Sequence, residues 1–425
     1  MKIMFIHKNY PAQFGRLAVW LAQHGWDVTF ATARKDVKSS QLKIVQFHEH
    51  RAPSAKTHHY LIGTERAVIS GQGLLRTALA LEKQGYRPDV VVAHSGWGVG
   101  FFVKDIWPET KYVQYAEWYY TYPYADHTPH THPRSWPDES AKARTRNTPF
   151  WLDFSAADAT VCPTKYQATQ FPEKLQHNIS VLNDGFDTQT HCPAPRDTEF
   201  LEKCGIPKDA ELVTYIARGM EPARGFPEVM QAIERLQKTR PKLHAVIIAD
   251  DRVAYGPKPS GKSWKNHMLD TLDLDLARLH FVGLVPRPVM IKFLQATGAH
   301  LYLSSPFVLS WSFVESMACG APIVAARSAP VEEFMIDGES GLLVNPYVTN
   351  EVVHAVEDLL EDPEYSQRLG AAARKEIVEK YDSERTIYPR HAKFYYDLVA
   401  SPGINEMIAP DEIAETSQSA RRRLG

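Results

Sequence analysis

The chain has 425 residues, 44% of them hydrophobic and 23% charged, which is ordinary globular usage, excludes a largely disordered or collagen-like chain and predicts two or three domains. Lys and Arg number 48 against 50 Asp and Glu, a formal net charge of -2, so no general attraction to nucleic acid or anionic lipid is expected. Four cysteines without CxxC spacing predict neither a zinc site nor a disulfide framework, and no apolar run approaches the ~18 residues of a membrane span.

In chain order, a buried strand is expected at Ile3 to Ile6, read as a first strand rather than a signal peptide because no small-residue cleavage site follows. A loop from Lys8 to Gln13 leads into a helix with Leu17, Ala18, Leu21 and Ala22 at three-to-four spacing, which Gly25 ends. Strands follow at Asp27 to Ala31 and Asp89 to Ala93, continuous β-branched runs of the kind that parallel strands covered on both faces require. Lys111 to Asn147 does not fit this alternation. It is crowded with aromatics, among them Tyr115, Trp118, Tyr119 and Trp136, and reads either as a functional loop or as a surface loop packing its own rings.

Cys192 to Pro195 is the expected linker, placing a boundary near residue 190. The grammar restarts with the strand LVTYIAR after Glu211, a helix Glu228 to Gln237, then strands HAVIIAD, HFVGLV, HLYLS and APIVAA. Helices Glu351 to Leu360 and Tyr365 to Lys380 and an aromatic segment around Phe394, Tyr395 and Tyr396 complete a second doubly wound domain, and residues after about Ser401 read as a frayed tail.

Three patterns are weighed as decoys. Gly256 to Ser263 matches the phosphate-loop expression GxxxxGKS, but Pro257 and Pro259 each remove a backbone N–H from the cradle and Ser-Trp-Lys-Asn is a poor amphipathic helix start, so a connecting loop is expected. His127, His130 and His132 lack a nearby acidic ligand and are broken by prolines, so no metal is assigned to them. Asn178-Ile179-Ser180 fits a glycosylation sequon that means little without a secretory signal.

Ser304 to Ala326 carries more. A loop after the strand HLYLS leads into an expected helix from Phe313 to Cys319 stopped by Gly320, with Ser312 and Glu315 at capping-box spacing. A helix N-terminus following a parallel strand is also where a diphosphate would sit.

At this segment the chain resembles the retaining glycosyltransferases of family 4, which have the GT-B fold: Glu315-Ser316-Met317-Ala318-Cys319-Gly320-Ala321-Pro322-Ile323-Val324 matches their second signature Glu and the A-M-A-C-G-x-P-V-V that follows, while Phe307 stands where the first Glu belongs. IARGMEPARGFPEVMQAIERL is similar to the family's phosphate-binding segment, with Arg224 where lysine is usual. LNDGFDTQTHCP is similar to its linker element, HFVGLVP to its nucleobase loop and EEFMIDGESGLLVNP to the segment closing its second domain. IHKNYPAQFGRLA, VVAHSGWG, YAEWYY and PTKYQATQFP resemble a bacterial subgroup.

The resemblance implies an α/β GT-B architecture, two Rossmann-like doubly wound domains facing an interdomain cleft. It divides the chain into an N-terminal acceptor-binding domain (1–190), a C-terminal nucleotide-sugar-binding domain (191–382), a segment crossing back (383–400) and a tail (401–425). It implies catalytic roles for Arg218, Arg224, Glu315 and His94, donor contacts from Gln13, Gly15, Gly283, Leu284, Phe307, Val308, Leu309, Ser310 and Trp311, and acceptor contacts from Glu117, Trp118 and Tyr119. Gly15 would let backbone N–H groups approach the donor. The implied reaction moves a sugar from a nucleotide-sugar, UDP- or GDP-linked, to a glycan or lipid-linked acceptor in cell-surface or exopolysaccharide synthesis, with retention and without metal or cofactor. Work in the cytoplasm, with peripheral association at the inner membrane face, follows from the same resemblance. A catalytically silent nucleotide-sugar-binding homologue and a P-loop phosphotransferase stay open as alternatives.

Overall fold

The computed structural model describes residues 1–122, 136–254 and 261–401. The first half forms a seven-stranded, all-parallel sheet from β1 (Lys2–His7), β2 (Asp27–Thr32), β3 (Lys43–Gln46), β4 (Val90–His94), β5 (Lys111–Tyr115), β6 (Ala159–Cys162) and β7 (Ile179–Val181), in the order β3-β2-β1-β4-β5-β6-β7. The second half forms a six-stranded parallel sheet from β8 (Glu211–Gly219), β9 (Leu243–Asp250), β10 (Leu279–Phe281), β11 (Ala299–Tyr302), β12 (Ile323–Ala326) and β13 (Leu342–Val344), in the order β10-β9-β8-β11-β12-β13. In each sheet the strand order reverses once, between β1 and β4 and between β8 and β11, and ligands of open α/β sheets bind outside the carboxyl ends of the strands at such reversals.

The sheets form because their strands are apolar on both faces and helices cover both. Val90, Val91, Val92 and Ala93 of β4 are all but inaccessible, and so are Ala245 to Ile247 of β9. Helix Phe226–Thr239 buries Phe226, Val229, Met230, Ile233 and Leu236 against β8 and β9, and full burial of each such side chain contributes roughly 1.5–3 kcal/mol. All four cysteines are free thiols.

The chain crosses between the sheets twice. The first crossing follows β7 and is packed: Phe186 N–H donates to Tyr381 O at 2.9 Å, Ser383 N–H donates to Phe186 O at 2.9 Å, and residues 192–197 then run without regular structure to helix Thr198–Lys203. The second returns as helix Tyr388–Ala400, whose Tyr395 lies in the core cluster of Ile3, Phe5 and Trp26. His391 on this helix hydrogen-bonds Asn183 O through Nε2 (2.9 Å) and the Tyr395 hydroxyl through Nδ1 (3.1 Å), and burial pushes its pKa down to about 4.

Several local expectations are corrected. Lys111 to Asn147 is not irregular throughout: its first five residues are β5, paired in parallel with β4, and Trp136–Arg146 is a helix. The polar-faced, 22-residue helix Ile62–Lys83 was not anticipated. HFVGLV is a strand only as far as Phe281. Ser263 does start a helix, Trp264–Thr271, by accepting the Asn266 N–H on its side chain, and Lys262 pairs with Asp270. Gly256 to Ser260 and the His127, His130, His132 group lie outside the described residues.

Candidate functional site

Both sheets present their carboxyl edges to one another. On the first, β1 and β4 are neighbours in register, with Ile6 opposite Ala93, so the histidines that end each strand come together. The His7 and His94 rings meet edge-on at 5.0 Å, and Trp97 stacks on His94 at 4.6 Å and 19°. His94 donates Nδ1–H to Ser95 O at 2.7 Å, which turns Nε2 toward Glu117 Oε2 at 3.5 Å. His7 accepts the Asn9 N–H on Nδ1 at 2.9 Å; burial, then the neighbouring His94 charge, push its pKa down to about 3, so it stays neutral.

Glu117 lies two residues beyond the end of β5 and takes the Gln13 amide at 3.0 Å. Burial disfavours its charge, but the hydrogen bond and charge of His94, the Gln13 amide and the charge of Arg218 outweigh burial and hold the carboxyl below its ordinary value. Arg218 belongs to the second sheet, near the end of β8, and is exposed. Electrostatic coupling between Arg218 and Glu117 therefore crosses the cleft.

On the second edge Arg224, half-buried, ends a single helical turn, Pro222–Arg224, that Gly225 closes. Gly225 has φ 70°, and a Cβ there would stand 2.2 Å from Leu303 O, so this position accepts only glycine without movement. Ser305 N–H donating to Ala223 O at 3.0 Å and the Tyr215 hydroxyl donating to Arg224 O at 3.1 Å bind the turn to the loop after β11 and to the middle of β8. Glu315, on helix Trp311–Ala318, is buried and pairs with Arg287, with His191 Nε2 3.6 Å away.

One sequence reading changes here. Glu315 does not close a capping box: Ser310 is the N-cap residue without a side-chain cap, and Ser312 Oγ bonds Ser310 Oγ at 2.9 Å instead. Gly15 is tightly packed by its own loop. Its N–H donates to Pro11 O at 2.8 Å, and a Cβ would stand 2.3 Å from Pro11 Cβ, so the glycine serves packing within its own loop. Ser310 N–H is likewise committed to the Tyr302 hydroxyl at 3.1 Å.

Gln13, His94, Glu117 and Arg218 are brought together. Phe307 packs across the cleft on Trp118, ring centroids 4.7 Å apart, and Trp311 Nε1 donates to Asp184 Oδ2 at 3.1 Å. Val308 and Leu309 are half-buried in the same loop. Gly283 and the exposed Leu284 sit in the loop after β10, at the outer edge of the second sheet. Tyr119 turns away: its ring packs against Phe150 and Phe171, each at 5.6 Å, beneath the first sheet. The residues missed by sequence reasoning are His7, Trp97, Tyr115, Asp184, His191 and Arg287. Only His7 had a readable signal, a buried run ending in histidine like that of β4.

A recess of about 280 Å³, lined by residues including Lys165, Asn183, Glu333, Tyr381 and Arg390, lies where the crossing segments meet. None of the cleft residues above lines it. There Glu333 of the second half accepts the Lys165 and Tyr166 N–H groups of the first, both at 2.8 Å.

Two family profiles match successive parts of this chain: the glycosyl transferase family 4 group matches residues 24–191 and the glycosyl transferases group 1 residues 196–376. Among curated relatives, the D-inositol 3-phosphate glycosyltransferase of Thermobifida fusca is 27% identical over 225 residues, 51% of this chain and 50% of the relative. That of Acidothermus cellulolyticus is 27% identical over 277 residues, 64% of this chain and 57% of the relative. The chain thus spans about half the length of the curated relatives it matches. Sucrose-phosphate synthase from Thermosynechococcus elongatus superposes with a TM-score of 0.73 at 16% identity, over 95% of this chain and 100% of that one. Anabaena HepE, solved in complex with UDP and glucose, gives 0.67 at 16% identity over 93% of this chain and 100% of that one. The fold is GT-B, and the chain belongs to the family 4/group 1 glycosyltransferases.

Proposed function

We propose that this chain is a retaining glycosyltransferase that moves a sugar from a nucleotide-sugar to an acceptor hydroxyl in the cleft between its sheets. The observation that carries the reading is the meeting of the two sheets' strand reversals at one cleft, where Phe307 packs on Trp118 and Trp311 Nε1 donates to Asp184 Oδ2. Arg218 and Arg224, with the N-terminus of helix Trp311–Ala318, stabilise the departing diphosphate, and Glu315 with Arg287 holds the ribose end. His94 meets the transferred sugar. The bond from the anomeric carbon to the phosphate oxygen breaks, the bond to the acceptor oxygen forms on the same face, and the acceptor proton passes to the leaving phosphate. No protein nucleophile is needed, and the countercharge is assigned to side chains rather than to a metal.

Glu117 and Trp118 face the acceptor, read as a glycan or lipid-linked saccharide of cell-surface or exopolysaccharide synthesis, handled in the cytoplasm and at the inner membrane face. Among the described residues no helix is long and apolar enough to cross a membrane, which suits peripheral association.

The test is a thermal-shift screen of UDP, GDP, ADP, dTDP and CDP with and without magnesium, followed by turnover of the matching sugar nucleotides with an acceptor panel that includes D-inositol 3-phosphate. Stabilisation by one diphosphate in the presence of EDTA, lost in Glu315→Ala, is expected; a hundredfold excess over Kd contributes about 2.7 kcal/mol. Stabilisation without turnover of any donor would turn the reading into that of a silent binding homologue, and magnesium-dependent stabilisation by ADP lost in Lys262→Ala would replace it with a phosphotransferase.

A further inference from the structure

The loop 306–310 has no regular structure, and inside its own domain Ser310 anchors its end, donating its N–H to the Tyr302 hydroxyl at 3.1 Å and accepting the Phe313 N–H at 3.0 Å. Its two ends are held by the other sheet. At one end Phe307 packs on Trp118, which in turn lies 6.0 Å from Tyr166. At the other, Trp311 Nε1 donates to Asp184 Oδ2 at 3.1 Å while the Tyr115 hydroxyl donates to Asp184 Oδ1 at 2.7 Å. Tyr115 is the last residue of β5, so Tyr115, Glu117 and Trp118 form one short stretch of the first sheet's edge.

Asp184 is the joint of this arrangement. It lies in the first crossing segment and takes one donor from each sheet, an indole N–H and a phenol O–H. A carboxylate drawn out of water needs its donors, and separating the sheets removes one of them. The contact between Phe307 and Trp118 is broken by the same movement.

We propose that Asp184 and Trp118 are positioning residues for the transferred sugar: through Trp311 and Phe307 the first sheet sets the shape of the 307–311 loop, so the sugar end of the donor site is complete only when the sheets are closed on one another. The nucleotide end differs, because the Arg224 turn is tied within the second domain, to the Tyr215 hydroxyl and the Ser305 N–H, and the loop after β10 lies at the outer edge of the second sheet. The proposal rests on the reading of 307–311 as the loop that meets the donor sugar. It assigns the sugar-contacting wall an aromatic character, Phe307 against Trp118, suited to the C–H face of a hexose rather than to its hydroxyls.

Isothermal titration separates the two ends. The probes are the nucleoside diphosphate that stabilises the wild type and the tightest-binding of its glucose, galactose, mannose and N-acetylglucosamine conjugates. Trp311→Phe keeps a ring and removes the N–H, Asp184→Asn can accept from only one of the two donors, and Trp118→Leu removes the platform. Each variant is expected to weaken the sugar conjugate at least fivefold more than it weakens the diphosphate, so the ratio of the two Kd values shifts. Parallel weakening of both ligands, or no change in either, would overturn the proposal. Because Trp311 is 39% exposed, its substitution carries the test should Asp184→Asn fail to fold. A wild type that binds none of the diphosphates would instead sink the functional reading on which the proposal stands.

Discussion

The two facing sheet edges are built differently. On the first, His7, His94, Trp97, Gln13 and Glu117 hold one another, and both histidines are almost wholly buried. On the second, Arg218 is exposed, Leu284 is 60% exposed, and the 307–311 loop takes part of its support from the opposite sheet. One edge is thus preorganised by contacts within its own domain, and the other holds the exposed Arg218 and half-buried Arg224 for an anion to gather. Preorganised dipoles suit the reacting centre, whereas exposed guanidiniums suit capture and release of a diphosphate.

The comparison is sharpened most by Arg218→Ala. It is expected to lower kcat about 10²–10³-fold, the scale of losing one charge stabiliser at a reacting centre. Because Arg218 helps hold the Glu117 carboxyl low, the acid limb of the pH–rate profile should also move to higher pH. An unmoved acid limb would mean the two edges are not coupled.

Gly225→Ala addresses how rigidly the second edge is built. A Cβ 2.2 Å from Leu303 O, at φ 70°, should cost about 2–3 kcal/mol in chemical denaturation. A loss under 1 kcal/mol would show that the Arg224 turn yields easily.

His391 probes what secures the first edge from behind. Its folded pKa of about 4 is below the ordinary 6.5, so its stabilising effect is complete above pH 6.5 and is lost as pH falls from 6.5 toward 4. His391→Gln should therefore remove about 1 kcal/mol from the stability loss between pH 7.5 and pH 5.5, read from paired denaturation curves. Equal acid slopes in the two proteins would refute this. The smallest effect is expected far from the cleft: Ser263→Ala loses the cap of helix Trp264–Thr271, about 1 kcal/mol, and should leave kcat unchanged.

Much of the fold was legible because parallel strands buried on both faces write their own signature. MFI in β1, VVVA in β4 and AVIIA in β9 are continuous apolar runs, and each became a strand. The motif around Glu315 was legible too, but its local reading was not. Ser312 and Glu315 have the spacing of a capping box, and that spacing could not reveal that Arg287, 28 residues earlier, claims the carboxylate. The aromatic stretch after Lys111 mixed three fates: Tyr112 and Tyr115 in a strand, Trp118 in the cleft and Tyr119 in the core.

By itself, then, the sequence determined two doubly wound parallel α/β units, the order of their strands along the chain and the positions of Arg218 and His94 at strand ends, because periodicity and local motif chemistry are properties of neighbouring residues. Only the tertiary structure decided that His7 joins His94, that Glu117 answers to Arg218, and that Asp184 binds Tyr115 and Trp311 at once. Those partners lie tens to more than a hundred residues apart, and what unites them is the reversal of strand order in each sheet and the crossing of the chain between them, which no local pattern encodes.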